Sequence, residues 1–364
     1  MKRAAVCLLL CIAAVVGLVS GAASQAAAGP PKPVPPVVIW PTDPLSWVSE
    51  RAVLLPPWQH GNLTIYPVRL PEWPAWSDVM TMDEAMSRNV LTISETGSVN
   101  DIWAYNRGGA PIFMMAGEMI GGAKQDRMLR DDVLLPGHSK LQIPVYCVEH
   151  GRWIGSQEFH TQKRVVTAPM RQTARASRSQ DQVWSGVAAA QAELGVRDKT
   201  TAFSSVYQDA EVQRKAQAYV EDLKPLIKRE RGVCGVIVVS GGEFVVADLF
   251  HDEEVFEALW PKLLDSYAVS ALQVGRHGDV WRTEDARRLL RRIVSMRRTH
   301  QPTPGAGELL ELDGAGMLGQ ALLWKQSVVH LELFPGARIM PMERREPRLP
   351  SPQVRRDRLQ QRIR

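Results

Sequence analysis

Five β-type segments follow one another between residues 90 and 149: VLTISE, DIWAYN, PIFMMAGEMI, RMLRDDVLL and KLQIPVYCVE. Turn signals separate them at Gly97-Ser98, Gly108-Gly109, Gly121-Gly122 and Pro136-Gly137. Such spacing favours a largely antiparallel sheet. A short helix over TMDEAMSRN precedes the run, and a strand over LTIYPVRL, residues 63 to 70, comes before that.

After about residue 180 the periodicity becomes helical, over Gln180 to Gly195, Asp209 to Lys228 and Glu253 to Ala271. Between the last two, VCGVIVVSGGEFVVADLF reads as a hairpin turning at Gly241-Gly242. A helix over 284 to 298 and a meander of ELLELDG, GQALLWK and SVVHLELF complete the pattern. The expected fold class is α+β, with a mostly antiparallel sheet in the N-terminal half and helices plus hairpin and meander in the C-terminal half.

The two ends carry different signals. Lys2 and Arg3, an apolar run from Ala4 to about Val19, and an A-x-A pattern at Ala26 and Ala28 read as a cleaved signal peptide over 1 to 28. An exported protein, periplasmic or secreted, with no transmembrane span in its mature chain is the expectation. Twelve of the 25 prolines fall between Pro30 and Pro74, with Trp40, Trp47, Trp58, Trp73 and Trp76 among them. Residues 29 to 61 are therefore expected to form an extended arm lying on a folded surface. The α+β domain should run from 62 to 335, followed by a basic, disordered tail over 336 to 364.

That tail explains the net charge of +5. Residues 344 to 364 hold eight arginines against Glu346 and Asp357, a surplus of six. Subtracting six from +5, and two more for Lys2 and Arg3, leaves −3 for the remainder. A mildly acidic folded part argues against a specific nucleic-acid partner, while the tail could touch an anionic surface or an envelope protein at low salt. After cleavage only Cys147 and Cys234 remain, each in an apolar strand-like run, where buried unpaired thiols are the plain expectation and a bridge the alternative.

One stretch concentrates polar chemistry: GEMIGGAKQDRMLRDD, residues 117 to 132. A phosphate loop of the GxxxxGK[ST] type is excluded, because Ala123 intrudes before Lys124, Gln125 replaces the hydroxyl and a strand follows. Metal is not expected, since the eight histidines are scattered and no HExxH or Cys/His cluster exists. What is left is a constellation. Glu118 and Glu149 are the candidate catalytic carboxylates, able to divide acid and base work if their environments differ. Gly122, Lys124, Gln125, Arg127, Arg152 and Trp153 are the candidate ligand-binding residues, the arginines offering forks for a carboxylate or phosphate. If neighbouring strands pair, both glutamates should emerge near strand ends and converge. The plainer alternative makes them ordinary salt bridges, Glu118 with Arg127 and Glu149 with Arg152.

Two basic stretches lie outside it. TQKRVVTAPMRQTARASRSQ, residues 161 to 180, has five cations and no acid, and reads as a long solvated loop or a flap over an anion. Arg287, Arg288, Arg291 and Arg292 read as the solvent face of a surface helix.

The run GSVNDIWAYNRGGAPIFMMAGEMIGGAKQDRMLRDDVLLPGHSKLQIPVYCVEHGRW resembles the signature of the ARG and rhodanese-phosphatase-superfamily-associated protein domain. QDQVWSGV, VCGVIVVSGGEFVVADLFHDEEVFEALWPKLLDSYAVSA and ALLWKQSVVHLELF extend the similarity over roughly residues 60 to 335. The resemblance implies a context of ADP-ribose, NAD-derived or phosphorylated ligands and transfers no established catalytic residue. Family-like positions include Glu118, Gly122, Lys124, Gln125, Arg127, Cys147, Glu149, Gly151, Arg152 and Trp153, with Asp126 where asparagine is usual. The functional expectation is an exported domain binding a small anionic, ADP-ribose-like or phosphorylated, ligand and hydrolysing it if a glutamate activates water. The alternative is a non-enzymatic interaction protein of the cell envelope that uses the tryptophan-rich arm and the basic tail.

Overall fold

The chain enters the fold at Asp43, whose carboxylate accepts the Leu45 N–H at 3.2 Å and caps helix α1 (Pro44–Arg51), with Pro44 at the position where a missing N–H is harmless. Strands β1 (Val53–Leu54), β2 (Trp58–His60) and β3 (Leu63–Arg69) follow. Residues 43 to 61 are thus a helix and two short strands rather than an extended arm, because Leu45 and Val48 have a core to enter. This computed structural model describes residues 43–70, 78–151, 155–197, 201–250, 253–274 and 281–336. The expected signal peptide, the arm before residue 43, Arg152, Trp153 and all of the tail beyond Gly336 lie outside them.

Next come β4 (Met80–Thr81), α2 (Met82–Ser87), β5 (Leu91–Glu95), β6 (Asp101–Asn106), β7 (Ile112–Met114), β8 (Glu118–Gly122), β9 (Arg127–Leu129), β10 (Val133–Leu135), β11 (Ser139–Cys147) and β12 (Glu158–Val165). Two of the expected segments are therefore each cut in two. PIFMMAGEMI breaks at Gly117, whose φ of +86 an L side chain rarely adopts. A Cβ there would also stand 2.8 Å from Cγ of Arg171. The break lets β7 join β10 and β4 in a small sheet, while β8 turns into a closed barrel of order β11-β6-β5-β12-β8-β9.

Helices α3 (Ala168–Ser177), α4 (Gln180–Leu194), α5 (Ser204–Gln208), α6 (Ala210–Leu223) and α7 (Leu226–Arg229) pack beside the barrel and below the second half. The basic stretch expected as a loop is instead strand β12 and helix α3. The hairpin β13 (Val233–Ser240) and β14 (Glu243–Phe250) precedes α8 (Glu253–Val274) and α9 (Thr283–Arg291). After a 3-10 turn, β15 (Arg297–Gln301), β16 (Glu308–Gly314), β17 (Met317–Trp324) and β18 (Ser327–Pro335) form the meander. The helix expected through residue 298 stops at Arg291, because Arg297 onward pairs with β16.

The large sheet runs β1-β3-β13-β14-β18-β17-β16-β15, with β2 also on β3. Every residue of β13 is buried. Its side chains alternate between two cores: Val236 and Val238 face α8, while Ile237 and Val239 face α1 and α9. A sheet covered on both faces needs this unbroken apolar run. A third core joins the outer wall of the barrel to α3, α4 and α6, and a fourth fills the barrel. Among the described residues no helix is long and apolar enough to cross a membrane. The α+β class expected from the sequence is the one observed.

Candidate functional site

Glu118 opens β8 directly after the Gly117 turn and is fully buried. Its Oε2 accepts the Met115 N–H at 2.7 Å, so the carboxylate folds back over the turn that presents it. Oε1 receives the ammonium of Lys262 from α8, and the same ammonium reaches Asp83 Oδ2 of α2 at 2.6 Å. Thr161 of β12 donates its hydroxyl to the other oxygen of Asp83. One lysine thus bridges two carboxylates that come from a barrel strand and a short helix.

The electrostatics follow from burial. Desolvation pushes the Glu118 carboxyl above its usual range, Lys262 pulls it down in part, and Asp83 pushes it up further. Burial alone would lower the Lys262 ammonium, but Glu118 and Asp83 outweigh it and hold it above its usual value. Lys262 is therefore a fixed cation and a poor nucleophile at neutral pH.

Above this triad lies an open groove of about 610 Å³, lined by Thr81, Asp83, Glu84, Lys163, Glu254 and Lys262 among others. A second hollow of about 300 Å³ shares Thr81, Glu84, Glu254 and Ala258, and adds Asp78 and Arg88. Asp83 is the member of the triad that solvent reaches, with 21% of its side chain exposed against 3% for Lys262 and 0% for Glu118. Lys163 stands on the rim where the β12 pairing with β8 is irregular between Thr161 and Val165. Its φ of +51 is uncommon for a lysine, and its N–H donates to Thr161 Oγ1 at 2.9 Å, which holds the bulge. Pro261 also lines the groove, one residue before Lys262, and deprives α8 of a backbone N–H there.

Of the remaining expected residues, Gly122, Lys124, Gln125, Arg127 and Glu149 are described, and they gather at the opposite end of β8. Register places Glu118 opposite Val165 and Gly122 opposite Phe159, so four residue steps, roughly 13 Å, separate the two ends. There Arg127 is 1% exposed, and its Nη1 donates to the carbonyl of Gln125 at 3.1 Å and to Oε1 of Gln125 at 3.3 Å. Its Nη2 lies 3.9 Å from Glu95. Gln125 Nε2 donates to the Glu149 carbonyl at 3.0 Å, and Glu149 Oε2 accepts the Asp126 N–H at 3.0 Å. Lys124 is exposed, and its backbone N–H donates to Glu95 at 3.3 Å. Arg127, Gln125 and Glu149 fasten the β8–β9 turn to the strand that follows, and the expected convergence of Glu118 with Glu149 does not occur. Nor is Glu118 the partner of Arg127. Cys147 donates its thiol to Gln125 Oε1 at 3.4 Å, and burial raises it, which makes an inert thiol. Cys147 and Cys234, both buried, are not bridged to each other.

A second group of buried charges joins residues far apart in the sequence, none of them among the expected site residues. Arg171 of α3 grips Asp248 of β14 through two bonds of 3.0 and 2.6 Å and reaches Glu332 of β18 at 2.7 Å. Arg175, one turn on, reaches Glu332 and Asp131, each at 2.7 Å. His330 lies between Asp132 at 2.8 Å and Asp248 at 3.3 Å, and Tyr267 donates to Asp248 at 2.6 Å. Burial would lower the His330 imidazolium, but Asp132 and Asp248 raise it to about 9. This network ties the β9–β10 loop, α3, α8 and the large sheet together. No group of histidines, cysteines and acids suited to a metal ion occurs among the described residues.

A signal for both groups existed in the sequence. Lys262 interrupts the apolar stripe of Leu259, Trp260, Leu263 and Leu264, and a charge on a buried stripe demands a partner. Arg171, Arg175 and Arg178 recur at i, i+4 and i+7, which is one face of a helix.

The fold is a small antiparallel barrel set beside a helix-covered antiparallel sheet, with a buried lysine-carboxylate triad beneath a polar groove. The model of the ARG and Rhodanese-Phosphatase-superfamily-associated Protein domain matches residues 51–334, and the chain belongs to that family. No curated protein and no solved structure matches the chain.

Proposed function

We propose that this protein is an exported binding domain for a small phosphorylated, sugar-like ligand, held in the groove above Lys262, Asp83 and Glu118. The observation that carries the reading is Lys163, set on a β-bulge in a left-handed conformation at the rim of a groove whose floor is that triad. The charge of Lys262 is already shared by two carboxylates and that of Arg88 by Glu84, which leaves Lys163 to meet one anionic group. Asp83, Glu84 and Glu254 are acceptors suited to sugar hydroxyls. The description of the family, associated with ARG and rhodanese-phosphatase proteins, agrees with a phosphorylated ligand. Export rests on Lys2, Arg3 and the apolar run that follows.

Hydrolysis in the same groove would use Asp83 as the carboxylate that orients water, with Lys262 fixing it and Lys163 facing the developing negative charge. Glu118, sealed behind Lys262, would set the charge of the triad without touching the ligand. Melting of the purified chain with ribose 5-phosphate, ADP-ribose and ribose tests the reading. A ligand at about 100 times its dissociation constant stabilises by roughly 2.7 kcal/mol. The expected result is a shift with a phosphorylated sugar that disappears in Lys163→Ala. Equal shifts in Lys163→Ala and the parent chain, or none with any phosphorylated sugar, would overturn it.

A further inference from the structure

The small barrel has two outer walls, and helices cover one of them. Met119 of β8, Met128 of β9 and Tyr146 of β11 pack under α3, α4 and α6. On the other wall β6 turns Ile102 and Ala104 into the barrel, so strand alternation turns Trp103 and Tyr105 outward. Tyr105 is 39% exposed, Trp103 is half-buried, and Val99 in the turn before β6 is 41% exposed. Large apolar side chains are exposed at four positions among the described residues, and two of the four belong to this strand and its turn. A cluster of this kind on a polar surface marks a place where something binds.

Register fixes the neighbours. Trp103 stands between Ser94 of β5 and Gln142 of β11, and Tyr105 stands between Thr92 and Lys140. The two rings, two residues apart on one strand, are roughly 7 Å apart along it. The Lys140 ammonium lies 4.7 Å from the centre of the Trp103 ring, and the Arg107 guanidinium lies 5.1 Å from that of Tyr105. Both cations are exposed, and among the described residues neither has an acid within ion-pair distance. The acids of this wall are placed toward its other end: Asp101 precedes Trp103 by two residues and is held by the Ser98 hydroxyl, while Glu158 of β12 pairs with Ser94. A cation resting on an exposed ring is weakly held, so an arriving anion draws it away and uncovers the ring face.

We infer that this wall is a second binding site, for an acidic polysaccharide whose sugar rings stack on Trp103 and Tyr105 and whose carboxylates meet Lys140 and Arg107. Thr92, Ser94 and Gln142 offer hydrogen bonds to the ring hydroxyls. The two aromatic rings in line suit a repeating chain that meets both. A nucleic acid suits the wall less well, because it brings a phosphate with every unit to a surface where two acids offset the two cations. The wall shares no residue with the groove above Lys262, so either site can fail without the other.

Calorimetry of the full chain with an oligomer of galacturonic acid, an uncharged glucose oligomer of equal length and an oligothymidylate tests this. The expected result is binding of the galacturonate oligomer alone. Trp103→Ala should weaken it by about tenfold or more, the scale of one lost ring contact. That substitution removes no charge, so it separates the wall from the arginines of residues 344 to 364, which hold an acidic polymer by charge alone. Lys140→Gln should weaken binding as well and make it less sensitive to salt. Tyr105→Ala, at an exposed position, gives the same readout should Trp103→Ala fail to fold. The proposal is overturned if the galacturonate oligomer does not bind, or if its affinity is unchanged in Trp103→Ala and Tyr105→Ala. It is equally overturned if the glucose oligomer or the oligothymidylate binds as tightly.

Discussion

Two clusters of buried charge sit in this molecule, and they differ in where they end. The network of Arg171, Arg175, Asp131, Asp132, Asp248, Glu332 and His330 is closed: each charge faces an opposite one, and all are nearly inaccessible. The triad of Glu118, Lys262 and Asp83 is closed at Glu118 and open at Asp83, which reaches a groove. The first holds a barrel and a sheet in one arrangement. The second has the same chemistry but an unfinished side, which is what a ligand can use.

The comparison breaks most sharply if a closed-network charge is deleted. Glu332→Ala leaves Arg171 and Arg175 short of a partner, and removing one member of a buried pair destabilises by roughly 3 to 5 kcal/mol. Urea denaturation should show a loss of that size or no folded protein. Lys262→Met strands Glu118 and Asp83 together and should lose roughly 2 to 4 kcal/mol by the same logic. Adding Glu118→Leu should restore much of that loss, because it removes the buried charge left unpaired.

The pH dependence separates the clusters further. His330 is raised from 6.5 to about 9 in the folded protein, so the folded state holds its proton more tightly than the unfolded chain. That contribution is complete below pH 6.5 and is lost as pH rises through about 9. At 1.36 kcal/mol per unit it amounts to roughly 3 kcal/mol. The urea midpoint should fall between pH 6.5 and 9, and His330→Gln should flatten the fall.

The smallest effect belongs to the groove. Lys163→Gly relieves a left-handed lysine and should change stability by at most about 1 kcal/mol in the favourable direction. It should nevertheless abolish the ligand-induced shift. A stability loss comparable to that of Lys262→Met would place Lys163 in the framework rather than at a binding rim.

Much of the architecture was legible because it follows from local pattern. The β-type regions from VLTISE to KLQIPVYCVE, two of which the structure divides, the Gly241-Gly242 hairpin and the last three strands of the meander were readable from alternation and turn residues. The errors have specific causes. TAPMRQTARASR offers only Met170 and alanines to a core, yet α3 forms because those residues find one and its arginines meet acids of a sheet distant in sequence. Trp47 and its prolines suggested an extended arm, yet Pro44 is tolerated at a first helical turn. The candidate site was legible only in Glu118. Its partners Lys262 and Asp83 are 144 and 35 residues away, and no spacing rule connects them.

By itself the sequence determined the α+β class, the order of most elements and the presence of charges that had to be paired. Hydrophobic alternation acts over a few residues, so a window of sequence contains it. Only the tertiary structure decided which charges paired, which were sealed and which faced a groove. Those outcomes depend on the Gly117 turn, the closing of the barrel and the placing of α8 across it, and pairing energies act between atoms that the fold alone makes neighbours.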